Sequence, residues 1–456
     1  MALSIVILAA GKGKRMHSRR PKVLQPLAGR PLLAHVLDTA RALAPDAIHV
    51  VVGHGAEMVL GECAADDIQW VMQHEQLGTG HAVLQALPAI ADSHTVLILY
   101  GDVPLVSLES LRALIAAGHS SPALLTVVLP DPTGYGRVLR DADGRVLGII
   151  EEKDASPAQS AIAEINTGML AAPTELLRRY LPQVGNANAQ GEYYLPDIIG
   201  LAVAEGLTVQ GLPGRLEEAL GVNDRRQLAE LERLLQRRQA QTLLEQGVTL
   251  LDPSRMDIRG QLICGQDVVI DVNVVCEGRV SLGDGVHIGA NCYLRNCELD
   301  SEVTVLPFSH LEGSHVGAGA RIGPYARLRP GAELAADVHI GNFVEIKQAQ
   351  VGQGSKINHL SYVGDATIGC GVNIGAGTIT CNYDGANKHH TRIEDGAFIG
   401  SGTMLVAPIT VGENATIGAG SAIREDAPAG KLTLTGERQK TIEGWQRPVK
   451  KTKPDT

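Results

Sequence analysis

The sequence predicts two domains of unlike architecture: an α/β domain with a Rossmann-like, mostly parallel sheet over residues 1–226, and a parallel β-helix over residues 248–456, joined by a long helix at 227–247. Three observations predict it. Through the first half, short apolar runs at 5–10, 48–52 and 96–100 alternate with helical stretches such as 32–43. Residues 224–246 contain no Gly or Pro, space their leucines helically and end at Gly247, which suits a helix stop. Beyond that helix the hydrophobic period becomes six: Ile270, Cys276, Leu282, Ile288 and Leu294 form one run, Ile322, Leu328, Leu334, Ile340 and Ile346 another, and Leu405, Val411, Ile417 and Ile423 a third.

The first strand runs straight into L-A-A-G-K-G-K-R-M, residues 8–16. Its apolar run followed by Gly11 and Gly13 reads as a strand ending in a tight turn whose backbone N–H groups can cradle an anion. Neither common phosphate motif fits, because Met16 stands where a dinucleotide fingerprint needs its third glycine and no G-K-[ST] follows. Instead Lys12, Lys14, Arg15, Arg19, Arg20 and Lys22 crowd into eleven residues, and the first acidic residue is Asp38. In a chain of net charge -10 that local excess of cations favours a polyphosphate. The bland alternative for the same residues is a solvated basic turn.

Further along, the strand at 96–100 ends in Y-G-D-V-P-L, so that Asp102 sits at a carboxyl end, where open α/β sheets bind ligands. A carboxylate there, beside a polyphosphate loop, suits Mg²⁺, a hard ion that takes few protein oxygens and completes its octahedron with phosphate and water; as a bland alternative it caps the next turn. Q-H-E-Q-L-G-T-G-H-A at 73–82 supplies amides and a second glycine turn opening a helix, or is simply a capped helix start.

In the second half, glycine follows many of the periodic aliphatics, as at 282–283, 288–289, 322–323, 340–341 and 417–418. Six residues per flat side and three sides per coil build a triangular prism with one small aliphatic per side inside it and small residues at the corners. Aromatics at 3% suit so narrow an interior. The phase slips around 351–363, and residues 378–398 read as a long loop leaving the coil, where function tends to sit on a rigid solenoid.

Composition excludes several classes. With 456 residues, 44% hydrophobic and 20% charged, the chain is a soluble multidomain globular protein by its statistics. No stretch approaches the roughly eighteen apolar residues of a membrane span. The apolar N-terminus is short and has its cations after it, unlike a secretory signal, which reads as cytoplasmic. Seven cysteines, Cys63, Cys264, Cys276, Cys292, Cys297, Cys370 and Cys381, form no C-x-x-C pair and read as structural thiols. An acidic chain poor in aromatics offers neither a nucleic-acid surface nor a base-stacking platform.

Taken together, L-A-A-G-K-G-K-R-M, P-K, Q-L-G-T-G-H-A, Y-G-D-V-P-L, D-P-T-G-Y-G-R, I-N-T-G, G-E-Y-Y and G-V-N in the first half, and R-P-G, N-F-V-E-I-K, H-L-S-Y and N-I-G-A-G-T-I-T-C-N-Y-D-G in the second, resemble one family along nearly the whole chain. It is that of the bacterial bifunctional N-acetylglucosamine-1-phosphate uridyltransferases and glucosamine-1-phosphate acetyltransferases. The resemblance implies a nucleotidyltransferase domain followed by a left-handed β-helix of hexapeptide repeats, assembled as a homotrimer. It also implies acetyl transfer from acetyl-CoA to glucosamine-1-phosphate, then uridyl transfer from UTP to N-acetylglucosamine-1-phosphate, feeding cell-wall and lipopolysaccharide synthesis. Related ADP-glucose enzymes keep open a single-activity nucleotidyltransferase with a structural or regulatory β-helix.

For the first site the resemblance implies that Leu8, Ala9, Ala10 and Gly11 hold the nucleotide, and that Gln73, Gly78 and Thr79 read the uracil and its surroundings. Lys22 and Arg15 would neutralise the triphosphate, Asp102 and Asn223 would hold Mg²⁺, Tyr100 and Gly101 would join the nucleotide- and sugar-binding residues, and Gly136, Glu151 and Asn166 would hold the sugar. For the second it implies His359 as the base, a side chain that ordinarily titrates near neutrality, with Glu345 orienting its imidazole. Arg329 and Lys347 would clamp the sugar phosphate, and Tyr362 and Asn373 would bind the sugar. Asn382, Tyr383 and Lys388, in the expected loop, would reach a neighbouring subunit's site. Ala376, Ser401 and Ala419 would line the acetyl-CoA groove, although alanines at 376 and 419 are also ordinary corner residues. One departure stands out: Gly436 occupies the place of a coenzyme-contacting arginine, and Arg438 follows two residues later. The tail from Trp445 would supply cations to the coenzyme or be a disordered basic end.

Overall fold

The computed structural model describes residues 2–436 together with 441, 443, 445 and 446. The chain divides into two compact units, Met1–Gln239 and Ala240–Thr456.

In the first unit seven strands form one sheet in the order Gln210–Pro213, Ala123–Val128, Glu164–Pro173, Thr95–Tyr100, Leu3–Leu8, Ala47–Val52 and Ile68–Met72. Glu164–Pro173 is antiparallel to both neighbours; the other pairs along this path are parallel. Two short strands, Arg137–Arg140 and Val146–Ile150, add a hairpin beside it. Leu3–Leu8 is buried along its whole length because it has core on both faces: Ile5 and Ile7 join one apolar cluster, Val6 and Leu8 the other. The chain leaves this strand in one direction for Ala47–Val52 and later returns on its other side for Thr95–Tyr100. Their carboxyl ends therefore flank a switch point, where such sheets leave a crevice.

The predicted long helix spans Arg225–Glu245. Its first half belongs to the first unit: Leu231 is buried with Met16, Leu27, Leu32, Leu105 and Val222, and the Ala28 amide donates to Glu232 Oε2 at 2.7 Å. Its later turns contribute Ala240 and Leu243 to the core of the second unit.

The second unit is a prism of stacked parallel strands, eleven in one sheet and fourteen in another. The prism begins before the periodic run at Ile270: Thr249–Leu250 already pairs with Val269–Ile270, and Met256–Cys264 with Val274–Leu282. One aliphatic per side fills the interior, for example Leu294, Leu311, Leu328 and Ile346, all fully buried. Full burial of such a side chain stabilises by roughly 1.5–3 kcal/mol. Turn positions in the left-handed backbone region recur coil after coil, one series passing through Phe308, Tyr325, Phe343, Leu360, Gly377, Gly402 and Gly420. Around Leu360 a corner is one residue shorter, which accounts for the slip in period, while the ladder continues unbroken through Lys356–His359 and Tyr362–Ile368. The expected loop at 378–398 proves shorter. Ile379–Cys381 pairs with Tyr362 and with Met404–Val406, and Thr391–Ile393 pairs with Ala366–Ile368 and with Ile409–Val411, so only the residues between those strands leave the coil. Thr380, Thr391 and Ile393 are buried, so both ends of the excursion are anchored in the prism.

Candidate functional site

In the first unit a cleft of about 450 Å³ opens at the carboxyl ends of Leu3–Leu8 and Thr95–Tyr100. The backbone of Leu8, Ala9, Ala10 and Gly11 forms one wall, with Lys12 and Lys22 beside it. Ala9 N–H is tied to Val51 C=O at 2.8 Å and Gly101 N–H to Leu8 C=O at 3.0 Å, so the loop leaves the sheet from a fixed point. Gln73, Gly78, Thr79, Tyr100 and Asp102 complete the lining. Lys22 Nζ forms an ion pair with Asp102 and lies 3.3 Å from Asn223 Oδ1. A carboxylate and an amide oxygen from distant parts of this unit's sequence thus converge on the Lys22 ammonium. Arg15 is exposed on the turn Lys14–Met16 and is not among the residues lining the cleft; Met16 is the buried residue of that turn instead. Arg20 is committed to Glu62 at 2.6 Å and to Leu24 C=O.

Gln73 is almost fully buried, donates to Gly78 C=O at 3.2 Å, and meets His81 Nδ1 at 2.9 Å. The glycine turn next to it is pinned from behind: Gly80 N–H donates to Tyr193 C=O at 2.8 Å, Tyr193 N–H to Leu77 C=O at 2.8 Å, and Leu195 N–H to Thr79 Oγ1 at 3.0 Å. Gly78 has φ +115, and a Cβ there would lie 2.6 Å from the Tyr193 carbonyl oxygen, so only glycine suits that closeness.

A second hollow of about 240 Å³ shares Thr79, Tyr100 and Glu192 with the cleft and is lined further by Gly136, Glu151 and Asn166. Asn166 N–H donates to Gly136 C=O at 2.8 Å, and its side-chain oxygen accepts from Gly168 N–H at 3.0 Å. Burial first, and then Asp197, Asp154 and Glu192, push the Glu151 carboxyl above its ordinary value. Burial, Glu151 and Asp102 likewise push up the Tyr100 phenol. The turn carrying Gly136 is held by Arg137, which is almost fully buried: its guanidinium donates to Tyr135 C=O and to Ser160 C=O and pairs with Glu152. Arg137, Gln76 and Glu192 were not singled out from sequence, although the D-P-T-G-Y-G-R, Q-H-E-Q and G-E-Y-Y segments contain them.

In the prism, outward-facing residues stack in register from coil to coil. Arg327 pairs with Glu345, and Glu345 with Tyr362; one step along, Arg329 falls beside Lys347. Arg329 Nη1 donates to Glu345 Oε1 at 2.8 Å, and Arg327 lies 3.7 Å from its other oxygen. The expected contact between Glu345 and His359 is therefore replaced. His359 Nδ1 lies 2.8 Å from Asn342 Oδ1, because parallel register sets residue 342 directly against 359 and turns residue 345 toward the arginines.

The excursion after Cys381 closes on its own chain. Asn382 is buried and hydrogen-bonds Asp365, with the Tyr362 hydroxyl at 3.4 Å. The Lys388 ammonium stands against Lys347, whose contact and charge push its pKa down from the ordinary lysine value. Two ammonium groups brought together ask for an anion between them. Tyr383 bridges to Lys388 and is exposed, while Asp384 accepts from the amides of Ala386 and Asn387 and pairs with His389 at 2.7 Å. Those contacts hold the Asp384 carboxyl well below its usual range. All three loop residues expected to reach another subunit thus have partners within the chain, the Tyr383 hydroxyl donating to Gly385 C=O at 2.6 Å. Asn373 lies on the strand Asn373–Ile374, paired with Lys356.

Ala376, Ser401 and Ala419 each precede a left-handed glycine of one corner, Gly377, Gly402 and Gly420. A Cβ on Gly377 would meet Gly402 Cα at 3.8 Å and one on Gly402 would meet Gly420 Cα at 3.8 Å, so without side chains this corner is a smooth backbone track. Gly436 also has positive φ, whereas Arg438 lies outside the described residues. All seven cysteines are free; burial pushes the Cys292 thiol up to about 11 and Cys297 up to about 12, as inert packing residues. Among the described residues no helix is long and apolar enough to cross a membrane, and no three His, Cys, Asp or Glu side chains cluster as metal ligands.

Comparison with known proteins agrees with both units. Residues 5–250 match the MobA-like NTP transferase domain, residues 261–295 the hexapeptide repeat of succinyl-transferase, and residues 390–425 the bacterial transferase hexapeptide. These matches make the prism the left-handed β-helix of hexapeptide repeats expected from sequence. The bifunctional protein GlmU of Cupriavidus pinatubonensis is 60% identical over 453 residues, covering 99% of this chain and all of that one. Those of Ralstonia nicotianae and Azoarcus sp. are each 59% identical, covering 99% and 98% of this chain and 100% of their own.

Proposed function

Because this chain belongs to the family of bifunctional GlmU proteins, we propose that it makes UDP-N-acetylglucosamine in two steps, acetylating glucosamine-1-phosphate on the β-helix and uridylating the product in the α/β cleft. The observation that carries this reading is that full-length bifunctional relatives match this chain end to end, and its first unit holds the cleft such a nucleotide transfer needs.

At the cleft, Leu8, Ala9, Ala10 and Gly11 present backbone to UTP, while Gln73 with Gly78 and Thr79 reads the uracil. Lys22 neutralises the triphosphate, aided by Arg15 if its turn folds inward over bound nucleotide. The pairing of Lys22 with Asp102 and Asn223 supports a divalent cation at those two oxygens, since a carboxylate and an amide oxygen are the hard donors Mg²⁺ takes. Bound there with the phosphates, the ion would offset charge that builds on the leaving pyrophosphate. Gly136, Glu151 and Asn166 hold the N-acetylglucosamine ring. An oxygen of the sugar phosphate then attacks the α-phosphorus in line, one P–O bond forms, and the bond to pyrophosphate breaks.

On the prism, Arg329, Lys347 and Lys388 grip the phosphate of glucosamine-1-phosphate, and Tyr362 and Asn373 hold its ring. The glycine corner beside Ala376, Ser401 and Ala419 accepts the extended arm of acetyl-CoA, with Asn382 and Tyr383 at its end. His359 Nε2 takes the amine proton as the C–N bond forms; the C–S bond breaks and the thiolate leaves, protonated in turn by the imidazolium. Glu345 acts through Arg329, which it holds in place. The enzyme is cytoplasmic and homotrimeric, an assembly supported by the exposed stacked ridge of Phe308, Tyr325 and Phe343, which a second copy would cover.

The test is a pair of variants. Asp102→Ala is expected to abolish pyrophosphate release while leaving coenzyme A release intact, and His359→Ala the reverse; joint loss of both activities in either variant would defeat the two-site reading.

A further inference from the structure

For His359 to act as the base, one of its two imidazole nitrogens must be free to take a proton. A neutral imidazole carries one N–H, and its position follows from what the other nitrogen faces. Asn342 ends the strand His339–Asn342, which lies in parallel register against Lys356–His359, residue 342 opposite residue 359. Its Oδ1 is 2.8 Å from His359 Nδ1. An amide oxygen can only accept, so this contact requires Nδ1–H and leaves Nε2 with its lone pair.

The surrounding backbone keeps the pair in place. Leu360 N–H donates to Asn342 C=O at 3.1 Å from the coil above, and the His359 carbonyl accepts from Ser361 Oγ at 2.8 Å and Gly377 N–H at 3.2 Å. Both side chains therefore project from strands anchored on two sides, the kind of support that holds a reacting group to within a fraction of an ångström. The carboxylate that could otherwise have taken the role is engaged elsewhere, since Glu345 is bound by Arg329 and faces Arg327. The choice of amide over carboxylate also has chemical sense. A carboxylate against Nδ1 would favour the imidazolium, which cannot accept a proton, whereas a neutral amide fixes the tautomer and adds no charge.

We infer that Asn342 is the positioning residue of the acetyl-transfer site, accepting the Nδ1 proton of His359 so that Nε2 is presented as the base. This rests on the reading of His359 as that base, and the experiment separates the two.

The full-length protein labelled with ¹⁵N-histidine, with the His359→Ala spectrum used to assign the signal, reports the tautomer directly. The wild type is expected to show Nδ1–H. Asn342→Leu should move His359 toward the Nε2–H form and lower kcat for acetyl transfer by on the order of 10- to 100-fold, the size of loss seen when the hydrogen-bond partner that orients a metal-bound histidine is removed. KM for both substrates and uridyl transfer should change little. Asn342→Asp should keep Nδ1–H and recover kcat only at higher pH, the acid limb of its pH profile moving up because the carboxylate favours the imidazolium, a shift that a purely packing role for residue 342 would not produce. An Nε2–H wild type overturns the inference, as does an Asn342→Leu protein with unchanged tautomer and kcat, or one whose loss lies wholly in KM. If Asn342→Leu fails to fold, the wild-type tautomer and the Asn342→Asp kinetics decide alone. Unchanged acetyl transfer in His359→Ala would instead remove the base assignment and leave the tautomer result standing.

Discussion

Single residues show where the chain accepts a cost. His49 is wholly buried on the strand Ala47–Val52 of the first sheet, and neither ring nitrogen has a hydrogen-bond partner. Burial first, and then His94, push its pKa below the ordinary histidine value. In the unfolded chain the same ring takes a proton as pH falls below about 6.5, so the unfolded state binds more protons there and stability drops. The loss begins as pH passes below that value and levels off below the depressed folded pKa. His49→Val should raise the denaturation midpoint of the first unit, by an amount equivalent to about 1–3 kcal/mol for removing a buried unsatisfied polar group, and flatten its acid-side decline. A urea melt at several pH values checks both. Gly78 is the converse case, a residue whose lack of a side chain makes a site. In Gly78→Ala the methyl would collide with the Tyr193 carbonyl, and the displaced turn should cut uridyl transfer on the order of 100-fold. Coenzyme A release by the same preparation should be unaffected.

At the scale of elements, the prism ties packing to chemistry through a period of two. Leu328 is fully buried between Leu311 and Ile346, while its neighbours Arg327 and Arg329 face outward to Glu345. Leu328→Ala is expected to cost roughly 2–5 kcal/mol of stability to unfolding. It should also weaken glucosamine-1-phosphate binding, because the strand that presents Arg329 is the one left unsupported. A rise in KM for that substrate, measured beside the urea midpoint, distinguishes this from simple loss of folded protein. The excursion after Cys381 belongs to the same scale: its ends are prism strands, and its interior is held by Asp384 and by Asn382 against Asp365. A loop so braced brings Lys388 to Lys347 without depending on tertiary neighbours far away.

For the molecule as a whole, the helix Arg225–Glu245 determines where a working fragment can end. A cut after residue 226 would remove Leu231 from its apolar cluster, Glu232 from the Ala28 amide, and Gln227, whose side chain accepts from Asn223 N–H at 2.7 Å. Fragment 1–239 should therefore be more stable than 1–226 by about 2–5 kcal/mol. It should also keep more uridyl transfer, since Asn223 is among the oxygen donors proposed for the metal; melting and pyrophosphate release of the two fragments test it. Ala240 and Leu243 make the matching case for starting the second fragment at 240. Much of this molecule was legible in the chain itself. The period of six and its glycines determined a prism, the apolar runs at 5–10 and 96–100 determined the strands that end at the cleft, and the cation-rich loop marked one wall of it. Those features are local: a strand or a corner is specified by the residues that form it. The partners of side chains are another matter. That His359 meets Asn342 while Glu345 turns to Arg329, that Arg15 stands off the cleft while Lys22 meets Asp102 and Asn223, and that Gln227 caps Asn223 were decided by the register between coils and by the closing of the sheet. Register sets which atoms lie within 3 Å of each other, and it comes from packing of the whole, which no single stretch of sequence contains.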